Sequence, residues 1–436
     1  MSQITAGSMG SSGGSSSGGA PKIHDPKLAA HPALHAENIT LPAGATEGLS
    51  RGFFAVGGLA LLVTVAGYFA VGPGRAVGAL HVGTMTALAA ALGALFFTLI
   101  FHSVNAGFSA TLRRQFENVF AAMPVPLAFA IVFLLAELIG GGYVMQWIGL
   151  EYGDDYLLDK KTPFLNEPFW VIRGLFYAGI WMFIITQLRL WSLRQDETGD
   201  WRLTRKARFL SGWGLLVMAL TTAFASFDWL MAVDFRFFST MWGVWYFSGG
   251  MTTSLSFVIL ILAALRLSGR LTDCVTKEHF HDLGKLLFGF TVFWAYISFS
   301  QYFLIWYSNI PEETIFFAVR LENGWENMFA FLAFGHFIAP FFILLIRNVK
   351  RSTAGLALIS IWMILMQVMD MIYVIRPMTG DAEGGGGFMT IWLDIAGAAA
   401  VLCLFAGLII RKVGASPLVA VNDPRMSEAL RHKNYV

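Results

Sequence analysis

"GWGLLVMALTTAFASFDWLM", residues 212–231, decides the fold of this chain. Twenty consecutive residues of this apolar character are enough to cross a bilayer as one helix. The run nevertheless carries Asp228 close to its end. A carboxylate in a lipid-spanning helix is costly, so it marks either an internal partner or a working site.

The rest of the chain repeats the pattern. Of its 436 residues, 56% are hydrophobic and 13% charged, with a mean hydropathy of +0.61. A soluble domain of this size could not hide so much apolar surface, so lipid is part of its solvent. Ten apolar windows predict ten transmembrane helices: 52–72, 77–102, 118–142, 168–191, 208–231, 241–266, 283–308, 324–347, 354–376 and 388–410. The fold class expected is an all-α integral membrane protein. Residues 51–411 form its transmembrane domain, 412–436 a cytoplasmic tail, and 1–50 a disordered Gly/Ser/Pro-rich tail that begins with "GSMGSSGGSSSGG" (7–19).

Charge orients these spans. Arg75, Lys160, Lys161, Arg173, Arg236, Arg320 and Arg376 fall on one side, leaving 23 of the 30 Lys and Arg on the side of both termini. Positive residues stay cytoplasmic, so both termini are expected inside. The outer loops, "EYGDDYLLDKKTPFLNEPFW" (151–170), "NIPEETIFFAVRLENGWEN" (309–327) and "GDAEGGGG" (380–387), are acidic and aromatic. Glu151, Asp154, Asp155 and Asp159 lack the spacing of a calcium loop. The net charge of +2 gives no reason to expect nucleic acid.

Several polar residues then share the outer half of the membrane: Glu137, Asp228, Gln301, Asp370 and Asp394, with His336 near mid-depth. Two readings compete. Asp228 with Arg173, and Asp370 with Arg376, could be static ion pairs. Alternatively, the carboxylates line a wet cavity that exchanges protons, with Asp228, Asp370, His336, Glu137 and Gln301 as the path. Gln367, Asp370 and Tyr373 form one helical ridge, and Ser298 and Gln301 another. If spans two to five and six to nine are two four-helix units, Asp228 and Asp370 both fall in the last helix of a unit. "FDWLM" against "MDMIY" gives that repeat slight support.

Cofactor signals are few. Cys274 and Cys403 stand apart, without CxxC spacing or neighbouring histidines, so neither an iron–sulfur cluster nor zinc is expected in this chain. His31 and His35 flank Pro32, which argues against a helical metal pair. His81 and His102 lie about 31 Å apart along one helix, too far for axial haem ligation. The many Phe and Trp read as packing and interfacial belts.

Three longer phrases carry a resemblance: "FDWLMAVDFRFFSTMWGVWYFSGGM" (227–251), "HDLGKLLFGFTVFWAYISFSQYFLIWYSNIPEET" (281–314) and "NGWENM" (323–328). They resemble the ten-span F-type membrane subunits of alternative complex III, relatives of the NrfD/PsrC quinol subunits. The resemblance implies two four-helix bundles plus two peripheral helices in a bacterial inner membrane. It further implies a non-redox subunit that supports quinol oxidation and electron transfer to cytochrome c or a terminal oxidase, with a proton-conducting role. The partners implied are an iron–sulfur subunit, a multihaem cytochrome c subunit and a related C-type membrane subunit. Haem c and the clusters would belong to those partners, and the quinone, usually menaquinone, could bind in the C-type subunit. One departure is "AVDFRFF" after "DWLM", where the family often has a Pro-aromatic turn. A quinol-binding subunit proper and a secondary transporter are the alternatives. A reporter fused after Val436 is expected to behave as cytoplasmic; activity on the opposite side would reverse the depth of every carboxylate.

Overall fold

The computed structural model describes residues 21–151, 153, 155–322, 324–379 and 390–433. Among the described residues ten helices are long and apolar enough to cross a membrane: α1 (Glu47–Ala70), α2 (Pro73–Ser103), α3 (Arg113–Gly140), α4 (Glu167–Thr198), α5 (Arg202–Val233), α6 (Trp242–Leu267), α7 (Lys277–Ser308), α8 (Trp325–Leu345), α9 (Thr353–Met378) and α10 (Ile391–Gly414). Each covers one of the expected windows. Among the described residues there is no strand.

Helices α2 to α5 pack into one bundle and α6 to α9 into another, and the two meet where α2 crosses α6. The remaining pair, α1 and α10, pack on each other and cover α2. α2 is therefore enclosed on every side, with His81 and Arg75 among its buried residues. Its composition explains how. A Cβ on Gly93 would stand 2.2 Å from the Gly250 carbonyl oxygen of α6, and one on Gly83 would stand 2.9 Å from the Gly397 oxygen of α10. In lipid, helix association depends on such close packing of small residues, because apolar side chains gain little by leaving the hydrocarbon.

Two spans are interrupted. α3 breaks at Ala121–Met123, ahead of Pro124, and α8 passes through a π-helical turn at Ala333–Ile338. Pro340 has no N–H, so the ordinary bond to the His336 carbonyl cannot form. A wider turn is one way a helix accommodates that loss. The Gly335 carbonyl in this turn is taken by the Trp362 indole N–H at 2.7 Å.

The terminal segments correct one expectation. From residue 21 onward the first fifty residues are built into the fold, with Leu34 and Ile39 buried. Leu271 N–H donates to the Asn38 carbonyl (3.0 Å) and Leu418 N–H to that of Ile39 (2.8 Å). The Asn38 side chain reaches the carbonyls of Ala33 and Thr272. The Gly/Ser tract stops at residue 19, and the capped Pro-containing turns that follow have apolar residues to bury. Residues 1–20, Asp154 and the 380–387 loop lie outside the described residues.

The C-terminal segment is pinned more firmly. Asp423 pairs with Arg113 at 2.5 Å, and Gln115 donates to the Leu418 carbonyl at 2.6 Å. Burial alone would raise the Asp423 carboxyl; Arg113 outweighs it and holds the group below its ordinary value. Arg114 pairs with Asp196 and Glu117, and Arg189 with Glu117. Both terminal segments thus lie on one face with the basic loops.

The α2–α6 crossing yields a prediction. Gly93→Val places carbon against the backbone of α6, and overpacking of this kind costs about 1–3 kcal/mol. Thermal unfolding of the detergent-solubilised protein should move to lower temperature. Gly48→Val, where a Cβ would meet nothing within 4 Å, should leave it in place.

Candidate functional site

The polar residues of the membrane interior do not converge on one chamber. Glu137 accepts the backbone N–H groups of Val144 and Met145 at 3.0 and 2.9 Å, so it closes the loop after α3. Asp394 is bound by Arg376. That pairing corrects the expected Asp370–Arg376 bridge. Six residues along a helix turn the side chain by about 240°, so Arg376 points away from Asp370 and towards α10.

Asp228 is likewise committed. Its two oxygens receive Arg173 Nη2 at 2.5 Å and Nε at 2.9 Å, and the Tyr177 hydroxyl donates at 2.8 Å. The Arg173 guanidinium lies over the rings of Phe164 and Phe169, and its Nη1 reaches the Phe164 carbonyl. Trp170 donates its indole N–H to the Asp228 carbonyl. His81 contacts the Trp229 carbonyl at 2.6 Å and stacks on Phe133. Buried Trp170, Trp181 and Trp229 fill the surroundings. This geometry is that of a sealed ion pair, the static alternative weighed from the sequence.

Asp370 has a different setting. A cavity of ≈ 450 Å³ lies among α6, α7, α8 and α9, roofed by the short helix Pro311–Ala318. Asp370, Gln301, Ser298 and Tyr373 contribute to its polar lining, and Trp242, Trp245, Trp294, Phe316, Phe317 and Phe329 are among its aromatic walls. The Trp294 indole N–H donates to Asp370 Oδ2 at 3.0 Å. His336 stacks on Trp294 with ring centroids 3.8 Å apart, and its Nδ1 lies 4.0 Å from the same carboxylate oxygen. Ser239 donates to the Gln301 carboxamide oxygen at 2.8 Å. Of the five proposed path residues, three therefore gather here, while Asp228 and Glu137 do not.

Several polar atoms around the cavity have no hydrogen-bond partner among the described residues: both ring nitrogens of His336, the Tyr373 hydroxyl and the Ser298 hydroxyl. Nearby Gln367 leaves both of its amide atoms unmatched, pressed against Gly249. Buried polar groups are rarely left so, and a local cluster of them points to water or to a ligand with its own donors and acceptors. The cavity is open on the lipid side, where Tyr296, Phe299 and Ile338 are exposed wall residues.

Arg320 fixes the roof. It is fully buried, stacks on Phe316 at 3.5 Å, and donates to the carbonyls of Tyr373, Val374 and Phe316. Burial lowers it to about 10, which leaves it charged near neutrality. The aromatic lining and Arg320 were missed in the sequence. One signal was available: Trp294, Ser298 and Gln301 are spaced i, i+4, i+7 and so share a helix face.

Among the described residues no group of three or more His, Cys, Asp or Glu could hold a metal ion. No protein-family model and no curated protein matches the chain. The geometry of the two aspartates therefore has to carry the argument.

It also makes them separable. Asp228→Asn strands a buried arginine, a defect that costs about 3–5 kcal/mol, so the variant should be recovered in low yield. Replacing both partners, Arg173→Met with Asp228→Leu, should restore much of it. Asp370→Asn, which retains the Trp294 bond, should be recovered normally. Normal yield for Asp228→Asn would show that the ion pair is not structural.

Proposed function

We propose that this chain is a membrane subunit of a quinol-oxidising assembly and that its α6–α9 cavity receives the ring of a quinone-type lipid. The observation that carries the reading is the cavity itself. It is aromatic, open towards lipid, and holds a carboxyl and a carboxamide where the ring oxygens of such a ligand would need partners, with the His336 imidazole behind Trp294. Its volume falls in the usual range for small-molecule sites.

The resemblance to the membrane subunits of alternative complex III supports this reading from another side. The three phrases that carry it contribute Trp242 and Trp245 of α6, Trp294, Ser298, Gln301 and Tyr302 of α7, and the start of α8. Two four-helix bundles with a covering pair, α1 and α10, also suit that family. In the assembly we envisage, iron–sulfur and haem c partners take the electrons, and this chain holds no redox centre of its own. Asp370 takes up the proton released as the ligand's hydroxyl is oxidised, with His336 4.0 Å behind its carboxylate. This shifts the weight from proton conduction through Asp228, which is occupied by Arg173, to the alternative of a quinol-binding subunit. The same cavity favours it over a secondary transporter, whose site would be expected at broken helices from both repeats.

A photoreactive quinone analogue tests the site. It should label the full-length protein in membranes at α7 or α8, and Ser298→Phe, which fills the cavity, should reduce labelling at least tenfold. His336→Ala should weaken labelling less, because the ring lies behind Trp294. Equal labelling of the Ser298→Phe variant would refute the cavity as the site. Co-purification with haem-containing and iron–sulfur subunits tests the assembly separately.

A further inference from the structure

We propose that the end of α5 nearest the chain termini binds the phosphate headgroup of an anionic phospholipid. Phe209, Trp213, Leu216 and Leu220 are all exposed and recur at helical spacing, so they face the hydrocarbon. Followed towards the terminal face, the same stripe continues as Arg202, Arg205 and Lys206, all exposed, with exposed Arg208 beside them and Trp201 just before. The cations thus stand where the lipid-facing surface reaches headgroup depth. Trp201 lies beneath Arg205 at 5.6 Å, an arrangement suited to the membrane interface.

These cations differ from their neighbours on the same face. Arg113, Arg114 and Arg189 are consumed by Asp423, Asp196 and Glu117, and Arg351 by Glu278. Arg202, Arg205, Lys206 and Arg208 form no ion pair among the described residues. The adjoining carboxylates leave this end positive: Asp196 is bound to Arg114, and only Asp200 and Glu197 stand against the four cations. Exposed Arg194, from the antiparallel α4, adds a further positive charge to this end. Gly212 lies in the middle of the stripe, and a Cβ there would meet nothing within 4 Å. The helix surface there is open, so an acyl chain can lie along the stripe below a headgroup held by the cations. Basic residues at headgroup depth above a lipid-facing stripe are the combination that selects an anionic phospholipid over a free anion.

Native mass spectrometry of the full-length protein tests this, after exposure to equal amounts of phosphatidylglycerol and phosphatidylcholine. The protein should retain phosphatidylglycerol preferentially, and each α5 cation removed should weaken retention about fivefold. The variant Arg202→Gln/Arg205→Gln/Lys206→Gln should lose the preference while unfolding at the same temperature in phosphatidylcholine. Arg411→Gln/Lys412→Gln, at the same face on α10, should keep it. Retention by the triple variant, or an equal loss in the α10 variant, would overturn the site. Displacement of the lipid by millimolar inorganic phosphate would also overturn it, since that marks a general anion patch.

Discussion

The close approach of α2 to α6 at Gly93 and Gly250, repeated against α10 at Gly83 and Gly397, sets where everything else can stand. A helix that touches protein on all sides gains its stability from contact distance, and glycine allows the shortest distance available. With α2 held, the neighbouring helices of the first bundle bring Arg173 and Tyr177 onto Asp228. The second bundle is built around α6, whose end away from the chain termini carries Trp242 and Trp245 against open space.

That contrast explains why two aspartates at like positions came to such different settings. In the first bundle Arg173 and Tyr177 of α4 reach Asp228 and close its surroundings. The corresponding helix of the second bundle is α8, and it offers no arginine within its span. It offers His336 on a widened turn, stacked on Trp294. Asp370 is left with one indole donor and a face towards empty volume. An ion pair is a complete solution; a carboxyl with one donor leaves capacity for something else.

The spans were legible because hydropathy over twenty residues depends on composition alone. So was the shortlist of polar residues, since Asp, Glu and His are conspicuous within apolar runs. Partner choice was less so. Arg173 was nameable as a partner for Asp228, but nothing along the chain says that two guanidinium nitrogens and a tyrosine all arrive. Arg376 stood as one candidate partner for Asp370, although helical geometry turns it towards Asp394. The cavity was legible only as the shared face of Trp294, Ser298 and Gln301, because its aromatic walls come from four helices and the Pro311–Ala318 roof far apart in the chain. The buried N-terminal strap was hidden for another reason: its apolar residues are too few to form a period, and they are ordered by partners far along the chain.

Those distant partners give the order of synthesis a physical meaning. Arg113 enters the fold with the third span, but Asp423, its closest countercharge, is made only after the tenth. Until then Arg113 has only Glu117, which Arg114 and Arg189 also draw on. The nascent protein therefore carries an excess of buried positive charge along its terminal face, which the last segment relieves. Chain completion and electrostatic closure are one event, and a polypeptide that stops short keeps a face that water can enter and quality-control proteases can grip.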